Sequence, residues 1–210
     1  MAILIQYKYA LFGGIPMVEI ELSILNWIQN HLSTAYLNDF FPTITVLGNG
    51  GILWIGLTIY FLINKKTRRI GLCMGIALLL DLMLCNVILK PLIARARPFA
   101  QAGAMLTADQ LLISPPGDFS FPSGHTAASF AAAVALYLND RKKGLWALAV
   151  AIVISFSRLY LYVHYPTDVL GGVAVGILCG YLSTKIVKKI FSRRAEIYVF
   201  DPEHKKELGE

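Results

Sequence analysis

Apolar residues along this chain gather in long blocks separated by short polar stretches. Five blocks, Leu47–Ile63, Ile70–Ile93, Ser123–Leu138, Leu145–Val163 and Asp168–Ile190, reach or approach the roughly 17–25 residues a helix needs to cross a bilayer. None alternates with a period of two, as the strands of a membrane β-barrel do. A helix satisfies its own backbone hydrogen bonds in lipid, so the blocks predict an all-α, polytopic transmembrane helix bundle with five spans. Upstream the pattern changes. Ile20, Ile24, Trp27 and Ile28 recur at helical spacing among polar residues, which predicts an amphipathic helix over Glu19–His31. Ser33 or Thr34 is placed to cap a second short helix running to Phe41. Both helices are expected in the membrane interface, where Trp27, Tyr36, Phe40 and Phe41 suit the headgroup level. Met1–Pro16 is apolar but short, and Gly13, Gly14 and Pro16 break it. Three readings stand for it: a sixth crossing, an interfacial segment, or an extension ahead of a start at Met17. It has neither a basic n-region nor an A-x-A-like site, so it does not read as a signal peptide. The expected organisation is an N-terminal segment over 1–46, a membrane domain over 47–190 and a polar, loosely ordered cytoplasmic tail over 191–210.

Composition narrows the class. The 210 residues are 56% hydrophobic and only 15% charged, against about 25% charged in a soluble domain. This excludes a soluble globular enzyme, a disordered chain and a disulfide scaffold. A net charge of +6 in a soluble protein would suggest nucleic acid as a partner, but in a membrane protein basic residues set topology instead. No nucleic acid is therefore expected. Lys65, Lys66, Arg68 and Arg69 fill one short loop and Arg141, Lys142 and Lys143 another, while Lys185, Lys188, Lys189, Arg193 and Arg194 close the last span. Five crossings place all of these on the cytoplasmic side, and the Ala94–Pro122 loop and Tyr162–Thr167 turn on the opposite face. Cys73, Cys85 and Cys179 lie inside apolar runs, none in a CxxC pair, and read as small buried hydrophobes. Asp81, near mid-span, reads as a bond to a neighbouring helix, with a proton route as the other reading. Asn86, four residues before Lys90, is placed to orient it. Gly172, Gly176 and Gly180 form a small-xxx-small stripe, and Ala127–Ala133 a similar surface, both expected to pack helices within one bundle.

The chemistry gathers on the outer face in three clusters. In Lys90-x6-Arg97-Pro98 the two cations are seven residues apart, nearly two helical turns, and invite an anion. Phe121-Pro122-Ser123-Gly124-His125 opens a span. A helix start offers free N–H groups and a positive dipole end to phosphate, Gly124 lets the backbone approach closely, and His125 is then near the bound anion. In Ser157-Arg158-x5-His164-x3-Asp168, Arg158 sits inside an apolar span, where a lone charge costs about 2.5–3.5 kcal/mol. His164 and Asp168 are four residues apart, and an Asp accepting from one ring nitrogen leaves the other free to attack. Each cluster also has a structural reading: snorkelling cations at a helix end, a serine cap with an incidental histidine, a His–Asp pair that only holds the fold. Together they supply three cations, two histidines and a helix-start cradle, which is what phosphoryl transfer through a phosphohistidine needs. One imidazole must be neutral while the other is protonated, so a bell-shaped pH dependence is expected. No carboxylate-rich or His/Cys set has metal-ligand spacing, so no metal and no cofactor is expected.

The three clusters match, in order, residue type and spacing, the signatures of the type 2 phosphatidic acid phosphatases, the PAP2 or lipid phosphate phosphatase family, and the chain resembles that family over about 70–190. The resemblance implies a metal-independent phosphatase with His164 as nucleophile, Asp168 as its orienting partner and His125 as general acid. It implies Lys90, Arg97 and Arg158 as phosphate ligands, assisted by Ser123 and the Gly124 backbone. Its common architecture is a six-helix bundle. The implied substrate is a membrane lipid phosphate: undecaprenyl diphosphate, phosphatidylglycerol phosphate or phosphatidic acid. Undecaprenyl diphosphatases of the family often carry Asp where this chain has Gly124, which moves the reading toward a general lipid phosphatase. The expected location is a bacterial cytoplasmic membrane with the site facing outside, and the oligomeric state stays open. The alternative function is a transporter or flippase that binds lipid phosphate without cleaving it. In the long Ala94–Pro122 connection, Leu106, Leu111 and Leu112 are expected to form a short helix on the outer leaflet that lines lipid access with Phe119 and Phe121; a packed surface cover is the other reading. Arg95 reads as a snorkelling residue or as a ligand for a second phosphate.

Overall fold

The structure, a computed structural model, describes residues 17–200, with side chains described to Ser192. The readings for Met1–Pro16 and for the end of the tail lie outside these residues. All regular structure among them is helical. Helices α1 (Met17–Leu32) and α2 (Ala35–Val46) lead into α3 (Ile52–Ile63) and α4 (Arg68–Asp81). The α4 rod continues through a π-helical stretch, Leu82–Leu89, to a last turn at Lys90–Ile93. After the Ala94–Ser123 connection come α5 (Gly124–Tyr137), α6 (Arg141–Tyr160) and α7 (Pro166–Phe200).

Capping residues mark the starts. Thr34, rather than Ser33, accepts from Leu37 N at 3.3 Å, and Asp140 accepts from Lys143 N at 3.1 Å. The second helix runs on to Val46, five residues beyond the expected Phe41, with Pro42 inside it. The expected span Leu47–Ile63 is not one helix. Gly50 and Gly51 take φ of +57° and +70°, which glycine adopts without a steric penalty, and α2 and α3 meet at a 46° bend. Among the described residues, three helical segments are long and apolar enough to cross a membrane, one within Arg68–Ala100 and the others at Arg141–Tyr160 and Pro166–Ser192. The bent α2–α3 pair adds a fourth. The Ser123–Leu138 block yields a helix of only 14 residues, α5, whose Thr126, Ser129 and alanines other than Ala128 are buried within the bundle.

Helix α5 packs most extensively against α7, then α6. The small residues explain the closeness of the first pair. A Cβ on Gly172, Gly176 or Gly180 would lie 2.6–2.8 Å from the carbonyl oxygens of Ser123, Ala127 or Ala131. Trp54 ties α3 to α5 through an Nε1–H bond to Ser129 Oγ of 2.9 Å. Helix α1 is anchored by Leu22, Leu25 and Ile28 in a second apolar cluster with Tyr160, Tyr162 and Val163. The basic loops meet at one end, where the Arg69 guanidinium lies 5.5 Å from the Phe191 ring. Asp81 is buried, but its Oδ1 has no partner, so the expected bond to a neighbouring helix is not formed. Asp81 lines a cavity between α3 and α4 instead. The three cysteines are buried and free. Leu106 and Leu111 pack inward on the second cluster, and only a three-residue turn, Ala108–Gln110, forms where a short helix was expected. Leu112 and Phe119 are exposed.

Candidate active site

Lys90, Arg97, Gly124, His125, Arg158 and His164 surround one cavity of about 350 Å³ at the end of the bundle away from the basic loops. Each comes from a different local device. Lys90 sits where the π-helical stretch hands over to the last turn of the α4 rod. Ala94, at φ +46°, ends that turn and lets the chain reverse toward Arg97. The start of α5 brings its free N–H groups to the cavity with Gly124 and His125. A Cβ on Gly124 would come within 3.2 Å of Asn86 Oδ1 and 3.8 Å of Lys90 Nζ, so glycine keeps the α4 rod and α5 in contact here. Tyr162, a buried residue at φ +60°, turns the chain between α6 and α7 and delivers His164. Its hydroxyl donates to Asn26 of α1 at 2.6 Å and accepts from Met105 N at 3.1 Å.

His164 is 1% exposed. Its Nε2 faces Arg97 Nη1 at 3.3 Å. A guanidinium only donates, so Nε2 carries the lone pair and the ring proton sits on Nδ1. Nδ1 lies 3.4 Å from Asp168 Oδ2 but is too poorly aligned for a hydrogen bond. Burial pushes the His164 imidazole down to about 3; Asp168 opposes the shift, and Arg97 and Arg158 add to it. The ring is therefore neutral across physiological pH.

The cations are held by partners that the sequence did not reveal. Arg97 donates to Asp118 O at 2.8 Å, Val163 O at 2.7 Å and Asp118 Oδ1 at 2.5 Å. Lys90 pairs with the other carboxylate oxygen of Asp118. Burial alone would raise the Asp118 carboxyl, but the Lys90 hydrogen bond and the charges of Lys90 and Arg97 outweigh it and hold it at about 2. Arg158 bonds to Thr45 Oγ1 of α2 and leaves its Nε unpartnered. His125 Nε2 lies 2.8 Å from Asn49 Oδ1 in the α2–α3 break.

The PAP2 superfamily pattern matches residues 70–192. The chain belongs to this superfamily. An undecaprenyl-diphosphatase of Sulfolobus acidocaldarius is 33% identical over 187 residues, which covers 86% of this chain and 87% of that one. A lipid A 4'-phosphatase of Bacteroides thetaiotaomicron is 33% identical over 156 residues, or 69% and 68% of the two chains. Among solved structures, a transmembrane PAP2-type phosphatidylglycerolphosphate phosphatase from Bacillus subtilis aligns with a TM-score of 0.65 at 26% identity, over 90% of this chain and 94% of that one. The protein is an integral membrane lipid phosphatase of the PAP2 superfamily.

Not every expected residue lines the PAP2 cavity. Ser123 is fully buried beside it; its hydroxyl accepts from Thr126 Oγ1 at 3.0 Å and its N–H donates to Asp168 O at 3.0 Å. Its contacts tie α5 to the start of α7. Asp168 lies behind His164, where Oδ2 accepts from Ser120 Oγ at 2.5 Å and from Tyr165 N at 2.9 Å. Arg95 does not snorkel. It is turned inward onto Asp168, Thr167 and Glu21. Asp118, Asn49, Thr45 and Glu21 lie outside the three sequence clusters. Glu21 alone left a signal, since it stands on the same helical face as Leu25 and Ile28.

Proposed function

We propose that this PAP2 enzyme dephosphorylates lipid phosphates through a phosphohistidine at His164, on the outer face of a bacterial cytoplasmic membrane. The observation that carries the reading is the single cavity shared by His164, His125, Lys90, Arg97 and Arg158. An arriving phosphate takes Lys90 and Arg97 from Asp118. His164 Nε2 attacks phosphorus in line with the bond to the leaving oxygen. As that bond breaks, His125 gives its proton to the lipid oxygen, or to the phosphate leaving group of a diphosphate. The three cations and the N–H groups at the start of α5 meet the charge on the transferring oxygens. Asp168 supports the positive charge on the phosphorylated ring. His125, now neutral, takes a proton from water, which attacks the phosphorus, breaks the P–N bond and releases inorganic phosphate.

A second cavity, of about 550 Å³, shares Lys90, Asp118, Gly124 and His125 with the first and is walled by Ile55, Ile59, Leu78 and Leu82. Its apolar walls suit a polyprenyl or acyl chain whose phosphate sits among the cations. The fitting substrates are undecaprenyl diphosphate, phosphatidylglycerol phosphate and phosphatidic acid, and the relatives add lipid A. With α2–α3 taken as one bent crossing and α5 as a short buried one, the bundle has five crossings. The basic loops then lie in the cytoplasm and the cavity outside. The purified His164→Ala protein is expected to bind lipid phosphate and release none. Undiminished phosphate release refutes the mechanism, and kcat/KM across the four lipids ranks them as substrates.

A further inference from the structure

Behind His164 lies a buried charge network that reaches a helix outside the family's matched region. Asp168 Oδ1 accepts from Arg95 Nη1 at 2.6 Å, and the same nitrogen donates to Thr167 Oγ1 at 2.7 Å. The other terminal nitrogen of Arg95 pairs with Glu21 Oε2. Glu21 Oε1 in turn accepts from Thr167 N at 3.0 Å and Thr167 Oγ1 at 2.5 Å. The guanidinium stacks 3.9 Å over the Tyr165 ring. Glu21 is 2% exposed and Asp168 fully buried. Neither Arg95 nor Glu21 lines the phosphate cavity.

Charge counting gives this arrangement a meaning. Arg95 bound to Asp168 alone would make a neutral pair, with little field left for the ring beside it. Shared between two carboxylates, Arg95 leaves one net negative charge in the network next to His164. That charge favours the imidazole when it forms a bond to phosphorus and becomes positive. The fork also holds Asp168 on the Nδ1 side of the ring.

We infer that Glu21 and Arg95 are positioning residues for the nucleophile, with Glu21 of α1 keeping Asp168 electrostatically available to His164. The inference rests on the reading of His164 as the phosphorylated residue. Rapid-quench measurement of the phosphohistidine, in purified full-length protein with a lipid phosphate substrate, tests both separately. In wild type, absence of a phosphorylated His164 overturns the reading itself. With the burst present, Glu21→Gln is expected to slow its formation by about 10–100-fold, the usual effect of losing an outer-shell partner. Burst amplitude per mole and KM should stay within about twofold of wild type. Glu21→Asp, which keeps the charge, should recover most of the rate. A wild-type burst rate in Glu21→Gln overturns the inference. So does a reduced amplitude at the wild-type rate, which is the signature of a partly misfolded population. Should Glu21→Gln not fold, Arg95→Lys keeps the charge but loses the fork; slow phosphorylation with an unchanged KM supports the inference, and a wild-type rate overturns it.

Discussion

Asp118 accepts one charge-assisted bond on each carboxylate oxygen, from Lys90 and from Arg97, so the two cations are already held at the spacing an oxyanion uses. In the proposed reaction this leaves the phosphate little to rearrange beyond displacing that carboxylate. His164 carries a second residue-scale consequence. Its pKa is depressed, so the neutral form needed for attack persists as pH falls and is lost only near about 3, not near the ordinary 6.5. On the proposed role of His164 as nucleophile, its acid limb in kcat/KM is therefore expected well below about pH 5. A pH profile of the purified enzyme checks this; a limb near 6.5 assigned to His164 by substitution contradicts it.

Among the helices, the α5–α7 seam decides whether the site assembles. Helix α5 carries His125 at its start, and α7 carries Asp168 in its first turn, just after His164. The glycine stripe sets their separation, and the Ser123 N–H to Asp168 O bond closes the seam at the site end. A Cβ at Gly176 would sit 2.6 Å from both Ala127 O and Phe130 Cβ. Gly176→Ala should force the helices apart, cost about 1–3 kcal/mol and lower kcat. Gly56 on α3 faces open space, so Gly56→Ala should lower neither stability nor kcat. Thermal unfolding in detergent with parallel phosphate-release assays measures the contrast.

The molecule as a whole joins a polar chamber to an apolar one at Lys90, Asp118, Gly124 and His125. This division predicts that headgroup chemistry and chain recognition separate on mutation. Leu79 lines the apolar cavity and is 62% exposed on the helix face. Leu79→Trp should lower kcat/KM for long-chain lipid phosphates by about tenfold, since packing a chain into an apolar pocket accounts for a few kcal/mol. Its rate on a short, water-soluble phosphate ester should be unchanged. Equal losses on both substrates contradict a chain-binding role for this cavity.

The sequence by itself determined the helical class, the basic end and the three clusters that gather away from it. Those properties depend on hydropathy, on charge bias and on spacings of three to seven residues, all of which are local. It also showed the glycine stripe, because small residues at i and i+4 share one helix face whatever lies opposite. It did not show the α2–α3 break as part of the site, because averaging over an apolar block hides Gly48–Gly51. Nor did it show what Arg95 and Asp118 do. Arg95 meets Glu21 from 74 residues earlier and Asp168 from 73 later, and Lys90 meets Asp118 from 28 later. A charge buried in a bundle must find its counter-charge, and local pattern constrains only that such a partner exists. Which partner it is depends on how the helices cross, and only the tertiary structure decided that.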